Sequence, residues 1–516
     1  MTQLPTVIKL ETSFLSHSAK LSERNISATA NEHLVQPGTL SSALNRHRQI
    51  ERASFHTPGH KNREIKESDS SRVSHFDAFE FDLTELPGLD QLSHPEGVLK
   101  SLESQAARLW SSQESIISVN GASAGLSAAM LSLASFGQIV LVPRNAHRSI
   151  IQGLVLSGLK PYWYEPDWHE NWQLFGQVMP ETLSMALAKN PVAVAGVVVV
   201  SPTYAGSISD IKSLSKLCQE REIPLIVDEA HGAHLVESSA LACGADIVVH
   251  SLHKTLSALT QTGMVHIAKN SMVDANLVRA NLRLLQSTSP SYSLMLSIEH
   301  AIGEIEGLEG RAKVAQAIYL SNRCANEIES LNEFTIFSKS TNSNCDSLHI
   351  LLKHQSESSD ALNTFLIEKG IYAETTLGNG LLLLLGMGSV TADIEALIEA
   401  LAKFKTRTRN SSNPLANVDT ITKTVSQFTI ESVLPPREAS LLPSHLIPLS
   451  EALDSIAAEC VAPCPPGIAL CVPGQKITQS VLQLLSEHSS LQHVRVLNRD
   501  PRHKSTNQVG DSNTNR

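Results

Sequence analysis

The sequence is short of aromatic residues, of charge and of cysteine. Phe, Trp and Tyr together supply 4% of its 516 residues, and charged residues 18%. Seven cysteines (218, 243, 324, 345, 460, 464 and 471) in so long a chain make no dense disulfide framework, so reduced thiols are expected. Cys460, Cys464 and Cys471 stand close enough to suggest a metal. They lack a fourth ligand at a usual spacing and are threaded with prolines, so no metal site is expected. No run approaches the roughly 18 consecutive apolar residues of a membrane span. The stretch MTQLPTVIKLETSFLSHSAK carries acidic and polar residues where a signal peptide keeps an apolar core, and a cytoplasmic protein is expected. The formal net charge of −10, without a cluster of Lys and Arg, argues against a nucleic-acid surface.

What is present is an ordinary globular composition, 42% hydrophobic, in a chain long enough for two or three domains. Residues 1–36 are rich in Ser, Thr and Asn without periodicity and read as a tail. Residues 37–72 form an N-terminal arm in which GTLSSALNRHRQIERA predicts a short helix. Within 73–305, short apolar runs (Gln138–Val142, Val192–Val200, Pro224–Val227, Asp246–His250) alternate with helical stretches such as Ser123–Ser135 and Asp210–Glu220. That alternation is the pattern of a mostly parallel sheet covered by helices, an α/β fold with its sheet buried. Residues 294–331 are helical in composition, and a smaller α/β unit follows over 306–405, with SLHILLKH and NGLLLLLGMG as strands and Thr391–Phe404 as a helix. Residues 406–424 read as a polar linker, 425–499 as a last compact piece and 500–516 as a polar tail.

In open parallel sheets ligands sit outside the carboxyl ends of the strands. The segments following the four apolar runs here are Pro143-Arg144-Asn145-Ala146-His147, Ser201-Pro202-Thr203-Tyr204, Asp228-Glu229-Ala230-His231-Gly232 and Ser251-Leu252-His253-Lys254. A carboxylate, a lysine, histidines and hydroxyls therefore converge. Upstream, Asn120-Gly121-Ala122-Ser123-Ala124-Gly125 opens a helix, and a Gly-rich helix start presents unpaired N–H groups to an anion such as phosphate. It is neither a Walker loop nor a dinucleotide fingerprint. An anion-binding helix end, an aspartate and a later lysine suit pyridoxal 5'-phosphate (PLP). The lysine forms the imine, the aspartate keeps the pyridine nitrogen protonated, and the helix end holds the phosphate.

With these residues in view, the chain resembles the bacterial ornithine/lysine/arginine decarboxylase family of fold-type-I PLP enzymes, in its shorter arginine/lysine decarboxylase-like branch. The segments that carry the resemblance are FHTPGHK (55–61), FDLTELPGLDQL (81–92), VNGASAGLSAAM (119–130), VPRNAHRS (142–149), SPTYAG (201–206), IVDEAHGAH (226–234), HSLHKTL (250–256), QSTSPSY (286–292), PPREA (435–439) and AECVAPCPPGIALCVPGQKIT (458–478). The resemblance implies a fold-type-I large domain, a smaller α/β domain and a C-terminal α+β decarboxylase domain. It implies decarboxylation of a basic amino acid (arginine, lysine or ornithine) to an amine and CO2, in polyamine metabolism, by a homodimer or larger homo-oligomer.

By motif, Lys254 is similar to the imine-forming lysine, Asp228 to the partner of the ring nitrogen, and His147 to the histidine that stacks on the ring. His231 takes a ring-flanking place, and Ser123, Ala124 (through its N–H), Ser251 and His253 surround the phosphate. The sequence departs from the family where Asn62-Arg63 follow Lys61 and where Cys464, Ala469 and Gln475 replace the usual aromatic, proline and glutamate. Other readings are a different fold-type-I reaction such as aminotransfer, and a non-catalytic paralogue. Residues 330–405 offer no clear arginine to grip an α-carboxylate, as an aminotransferase needs, and Lys254 and Asp228 are both intact.

Overall fold

The computed structural model describes residues 53–55, 90–190, 194–341, 343–410, 430–487 and 491–498. The tails, FHTPGHK beyond Phe55 and FDLTELPGLDQL before Asp90 lie outside the described residues. In chain order the elements are β1 (Ala53–Phe55), α1 (Val98–Leu109), β2 (Glu114–Ser118), α2 (Gly121–Ser132), β3 (Ile139–Pro143), α3 (Arg148–Ser157), β4 (Lys160–Tyr164), β5 (Trp168–His169), β6 (Leu174–Phe175), α4 (Pro180–Lys189), β7 (Val194–Val200), α5 (Ile211–Gln219), β8 (Leu225–Asp228), β9 (Ile247–Ser251), α6 (Leu252–Thr255), β10 (Gly263–Ile267), α7 (Ala275–Leu285), α8 (Tyr292–Glu306) and α9 (Leu308–Ser330). There follow β11 (Phe334–Ile336), α10 (Phe337–Thr341), β12 (His349–His354), α11 (Ser359–Glu368), β13 (Ile371–Ala373), β14 (Thr375–Leu377), β15 (Gly380–Leu384), α12 (Thr391–Asn410), α13 (Pro436–Leu441), β16 (Ser444–Pro448), α14 (Gln479–Ser486) and β17 (His493–Leu497).

A seven-stranded sheet in the order β2-β10-β9-β8-β7-β3-β4 forms the centre. Five neighbouring strands, β9 to β4, run parallel, and β10 is antiparallel to both β9 and β2. The central strands are rich in β-branched residues, which suit a pleated surface packed on both sides. Alternation along β7 makes this concrete: Ala195 and Val198 face the layer of α2 and α3, whereas Val197 and Val199 face α4 and α5. Helix α2 lies close on β9 and β10 because Gly125 has no side chain. A Cβ there would come within 2.7 Å of Val265 and 2.9 Å of Val249.

A four-stranded antiparallel sheet, β11-β12-β15-β14, builds the smaller unit. Leu381 and Leu383 of β15 pack under α9, α11 and α12, while Leu382 and Leu384 face Trp172, Phe337 and Leu377. The C-terminal piece pairs β16 with β17 under α14 and docks on the large unit, where Arg437 donates from Nη1 to the Leu156 carbonyl at 2.6 Å.

Three expectations change. Ala53, the end of the stretch read as a helix, lies in β1, which pairs in parallel with β13 and buries Ala53 and Phe55 in the smaller unit's core; the rest of that stretch lies outside the described residues. Burial there outweighs local helical patterning. The helical stretch 294–331 is two helices parted at Gly307, whose extended backbone ends one and starts the next. Helix α12 runs on to Asn410, into the segment read as a linker; TRTRN prolongs it without a breaking glycine or proline.

Candidate active site

The end of β8 brings Asp228 to the mouth of the sheet and the end of β9 brings Ser251, after which α6 carries His253 and Lys254. Lys254 as a residue is half-buried, yet Nζ lies 2.8 Å from Nε2 of His231 and 5.6 Å from the ring centre of Tyr204. Burial lowers the pKa of the amine, and the charges of Asp228, Glu374 and Cys464 oppose that shift. Asp228 is buried and accepts the Ala230 N–H on Oδ1 at 3.2 Å. Burial raises its pKa, while Lys254 and the Ala230 N–H work against the rise. The aspartate and the lysine thus feel one another's charge.

His147 reaches the same pocket from the N-cap of α3. Its Nδ1 accepts from Ser149 N–H at 3.2 Å and stands 2.7 Å from Ser149 Oγ, which fixes the ring. Burial, Lys254 and Arg148 push its pKa down to about 4. The C-terminal segment closes over this ring. Gly467 has φ +77°, and a Cβ on it would lie 2.6 Å from His147 Nε2; Arg148 N–H donates to the Gly467 carbonyl at 2.8 Å. Position 467 therefore needs glycine both for its backbone and for its space.

The residues expected at a phosphate are distributed over neighbouring strand ends. Gly263 of β10 is paired with both Ser118 and Ser251, so Ser118 and Ser251 stand two strands apart, about 10 Å. Helix α2 begins just after Ser118, with Gly121 at φ +72°. No side chain caps its first turn: Asn120 instead donates to the Leu285 carbonyl at 3.0 Å. Ser123 is exposed at that turn and Ala124 is buried. Ser251 is buried and makes no capping bond to α6; His253 stands with Nδ1 3.1 Å from the Thr262 carbonyl. A cleft of about 610 Å3 borders Ser123 and Ala124 together with residues of α3 and the C-terminal piece; Lys254, Asp228 and His231 do not line it. A lysine whose pKa burial lowers, a buried carboxylate at the neighbouring strand end and an uncapped, glycine-opened helix start form a donor set that fits PLP.

Several residues that sequence reasoning passed over belong to this pocket. Nδ1 of His231 lies 3.1 Å from Nε2 of His349, and Nδ1 of His349 lies 2.9 Å from Oδ2 of Asp346, at a poor angle for a hydrogen bond. Oδ1 of Asp346 is 3.1 Å from Nε2 of His234. Burial raises the pKa of Asp346, but His234 and His349 overcome it and hold the carboxyl far below the usual range. Tyr204 OH donates to Glu374 Oε1 at 2.7 Å, and its ring meets His231 edge-on. The only sequence signal for Asp346 and His349 is the Asp-x-x-His spacing just ahead of an apolar strand.

Of the substituted positions, Cys464 is exposed and Ala469 buried beside Val472. Gln475 is buried and accepts the Val472 N–H at 3.1 Å, closing a turn. Among the described residues no three His, Cys, Asp or Glu side chains are placed to hold a metal ion together, and no helix is long and apolar enough to cross a membrane.

Residues 38–358 match the family described as Orn/Lys/Arg decarboxylase, major domain, and residues 421–493 match its C-terminal domain. An uncharacterized protein of Bacillus subtilis, YaaO, is 30% identical, with 88% of this chain and 95% of the relative covered. An arginine decarboxylase of Bacillus anthracis is 27% identical over 87% and 92%. The solved lysine decarboxylase LdcF of Francisella novicida superposes with a TM-score of 0.67 at 20% identity, covering 82% of this chain and 75% of that one, a likeness of fold.

Proposed function

The chain belongs to the Orn/Lys/Arg decarboxylase family, and from that premise we propose that it removes the α-carboxyl group of a basic L-amino acid, with PLP as cofactor. Arginine stands ahead of lysine, and ornithine third; the products are CO2 and the amine, which places the reaction in polyamine metabolism. The family is one of PLP-using decarboxylases, and the fold is that of fold-type-I PLP enzymes. The observation that carries the proposal is the 2.8 Å approach of Lys254 Nζ to His231 Nε2 just beyond the strand end that bears the buried Asp228.

When bound, PLP supplies an aldehyde for an amine to bond and a protonated ring that draws electrons from the breaking C–C bond. Lys254 would anchor it, Asp228 would keep its ring nitrogen protonated, and His147 and His231 would lie against the ring. The first-turn N–H groups of α2 at Ser123 and Ala124, with Ser251 and His253, would hold the phosphate. A proton returned from Lys254 Nζ or His231 Nε2 completes the amine. The half-buried Glu374, held by Tyr204, gives a basic side chain entering the pocket a carboxylate to meet. Self-association into a homodimer or larger homo-oligomer is part of the proposal and rests on the family resemblance.

The test is incubation of the PLP-loaded protein with arginine, lysine or ornithine and no keto acid. Chromatography for agmatine, cadaverine and putrescine, with CO2 release, identifies the substrate. Release of CO2 with one of these amines is expected; amino-group transfer that requires a keto acid overturns the proposal in favour of an aminotransferase.

A further inference from the structure

Two rows of buried polar groups cross the interior near β8. One runs from Glu229 through His250 and His266 to Ser115, and stays beneath the sheet with Trp110 against both histidine rings. The other ends on the reactive lysine, joining Nζ of Lys254, both nitrogens of His231, both nitrogens of His349 and the carboxylate of Asp346. Asp346 and His349 come from the lead into β12 and are strapped to the turn after β7: Asp346 N–H donates to the Gly206 carbonyl at 2.8 Å, and Ser207 bridges to Cys345. Gly206, at φ +90°, leaves room for His349, since a Cβ would come 2.7 Å from the His349 Cβ.

The order of atoms restricts where protons sit. Asp346, ionised and acceptor-only, favours a proton on Nδ1 of His349, 2.9 Å from its Oδ2, by charge rather than through an aligned hydrogen bond. Nε2 of His349 is then free to accept from His231 Nδ1, and His231 Nε2 to accept from the lysine ammonium. A second arrangement of the same atoms moves one proton along the row. The Lys254 N–H bond breaks as His231 Nε2–H forms, His231 Nδ1–H breaks as His349 Nε2–H forms, and the positive charge comes to rest on His349 beside Asp346. The lysine is left with a lone pair, which an amine needs before it can bond to a carbonyl carbon.

We propose that His349 and Asp346 are positioning residues, acting through His231, that draw the ammonium proton away from Lys254 and so ready its nitrogen for the cofactor. This rests on the reading of Lys254 as the anchor. Among the described residues, the charged and titratable groups facing the lysine are His231 and Asp228 from the β8 end, Tyr204 from the β7 loop, His147 from the α3 cap, Glu374 from between β13 and β14, and Cys464 from the C-terminal segment. His349 meets His231 and Asp346, and Asp346 also meets His234. As mere bystander charge, Asp346 stabilises the ammonium, and its loss quickens the lysine; as the end of a relay its loss slows it. The two roles differ in sign.

The experiment labels the full-length chain, freed of cofactor, with an amine-acylating reagent from pH 6 to 10 and follows the Lys254 peptide by mass spectrometry. Asp346→Asn and His349→Gln, with wild-type thermal melts, are expected to label Lys254 about tenfold more slowly at neutral pH, a shift of about one unit in midpoint. Equal or faster labelling overturns the proposal. Should either variant fail to fold, 15N shifts of the wild-type imidazoles decide: His349 Nδ1 protonated at neutral pH supports the relay, and a bare Nδ1 overturns it. Because labelling needs no turnover, an altered pH profile in a protein that releases no CO2 sinks the decarboxylase reading and leaves the relay standing, and the reverse outcome does the opposite.

Discussion

Nδ1 of His231 and Nε2 of His349 stand 3.1 Å apart although 118 residues separate them in sequence. One ring follows a strand of the large parallel sheet and the other opens a strand of the smaller antiparallel one, so the pocket is complete only when both sheets are folded and docked. The same contact passes to Lys254 through the far side of His231.

Removing the proposed anchor is the most severe change expected. Lys254→Ala leaves the pocket without its amine, and CO2 release from the preferred amino acid falls by about three orders of magnitude or more, on the scale of losing a covalent catalyst. Circular dichroism matching the wild type shows that the loss is chemical. Near-normal amine production by this variant ends the account of the site.

Asp228→Ala removes the carboxylate proposed to face the ring nitrogen while leaving Lys254 in place. Turnover is expected to fall about 10²- to 10³-fold, as when one preorganised electrostatic group is deleted. Steady-state kinetics at saturating PLP separate this fall in kcat from weaker cofactor binding.

Acid destabilises the cofactor-free fold through its neutral histidines. Burial, Lys254 and His349 hold His231 well below 6.5, and His147 lies at about 4. Above the ordinary pKa both states are neutral and nothing is lost. As pH falls below it, the unfolded chain takes up protons that the native chain refuses, so each such histidine subtracts about 1.4 kcal/mol per pH unit until its folded pKa is reached. Urea unfolding at pH 8, 7, 6 and 5 is expected to give a flat upper range and a steep decline below pH 6.5; equal stability at pH 7 and 5 contradicts the neutral histidines.

Gly467→Ala tests whether the C-terminal piece shapes the pocket. The new methyl meets the His147 ring and a backbone at φ +77°, costing about 1–3 kcal/mol by overpacking and left-handed strain. Weaker PLP retention with the large unit still folded is expected, measured by absorbance after gel filtration. Unchanged retention places the C-terminal segment outside the cofactor's reach.

Strand ends were the legible part of this molecule. Period and composition give Ile139–Pro143, Leu225–Asp228 and Ile247–Ser251 to within a residue of the apolar runs read from the sequence, because strands buried on both faces are written as unbroken apolar runs. Lys254, Asp228, His147 and His231 stand out for the same reason: each follows such a run. Asp346, His349 and Glu374 do not, since they come from the antiparallel unit, where the end-of-strand rule has no force and only docking brings them to the lysine. The strand Ala53–Phe55 was hidden too, because its partner β13 is remote in sequence and local patterning favours a helix.

The central claim is that the ε-amino group of Lys254 is the cofactor's attachment point. Borohydride reduction of the PLP-treated protein, followed by proteolysis and mass spectrometry, reads this directly. The account predicts one phosphopyridoxyl group, carried on the peptide containing Lys254. The group on any other lysine, or none after saturation with PLP, contradicts it.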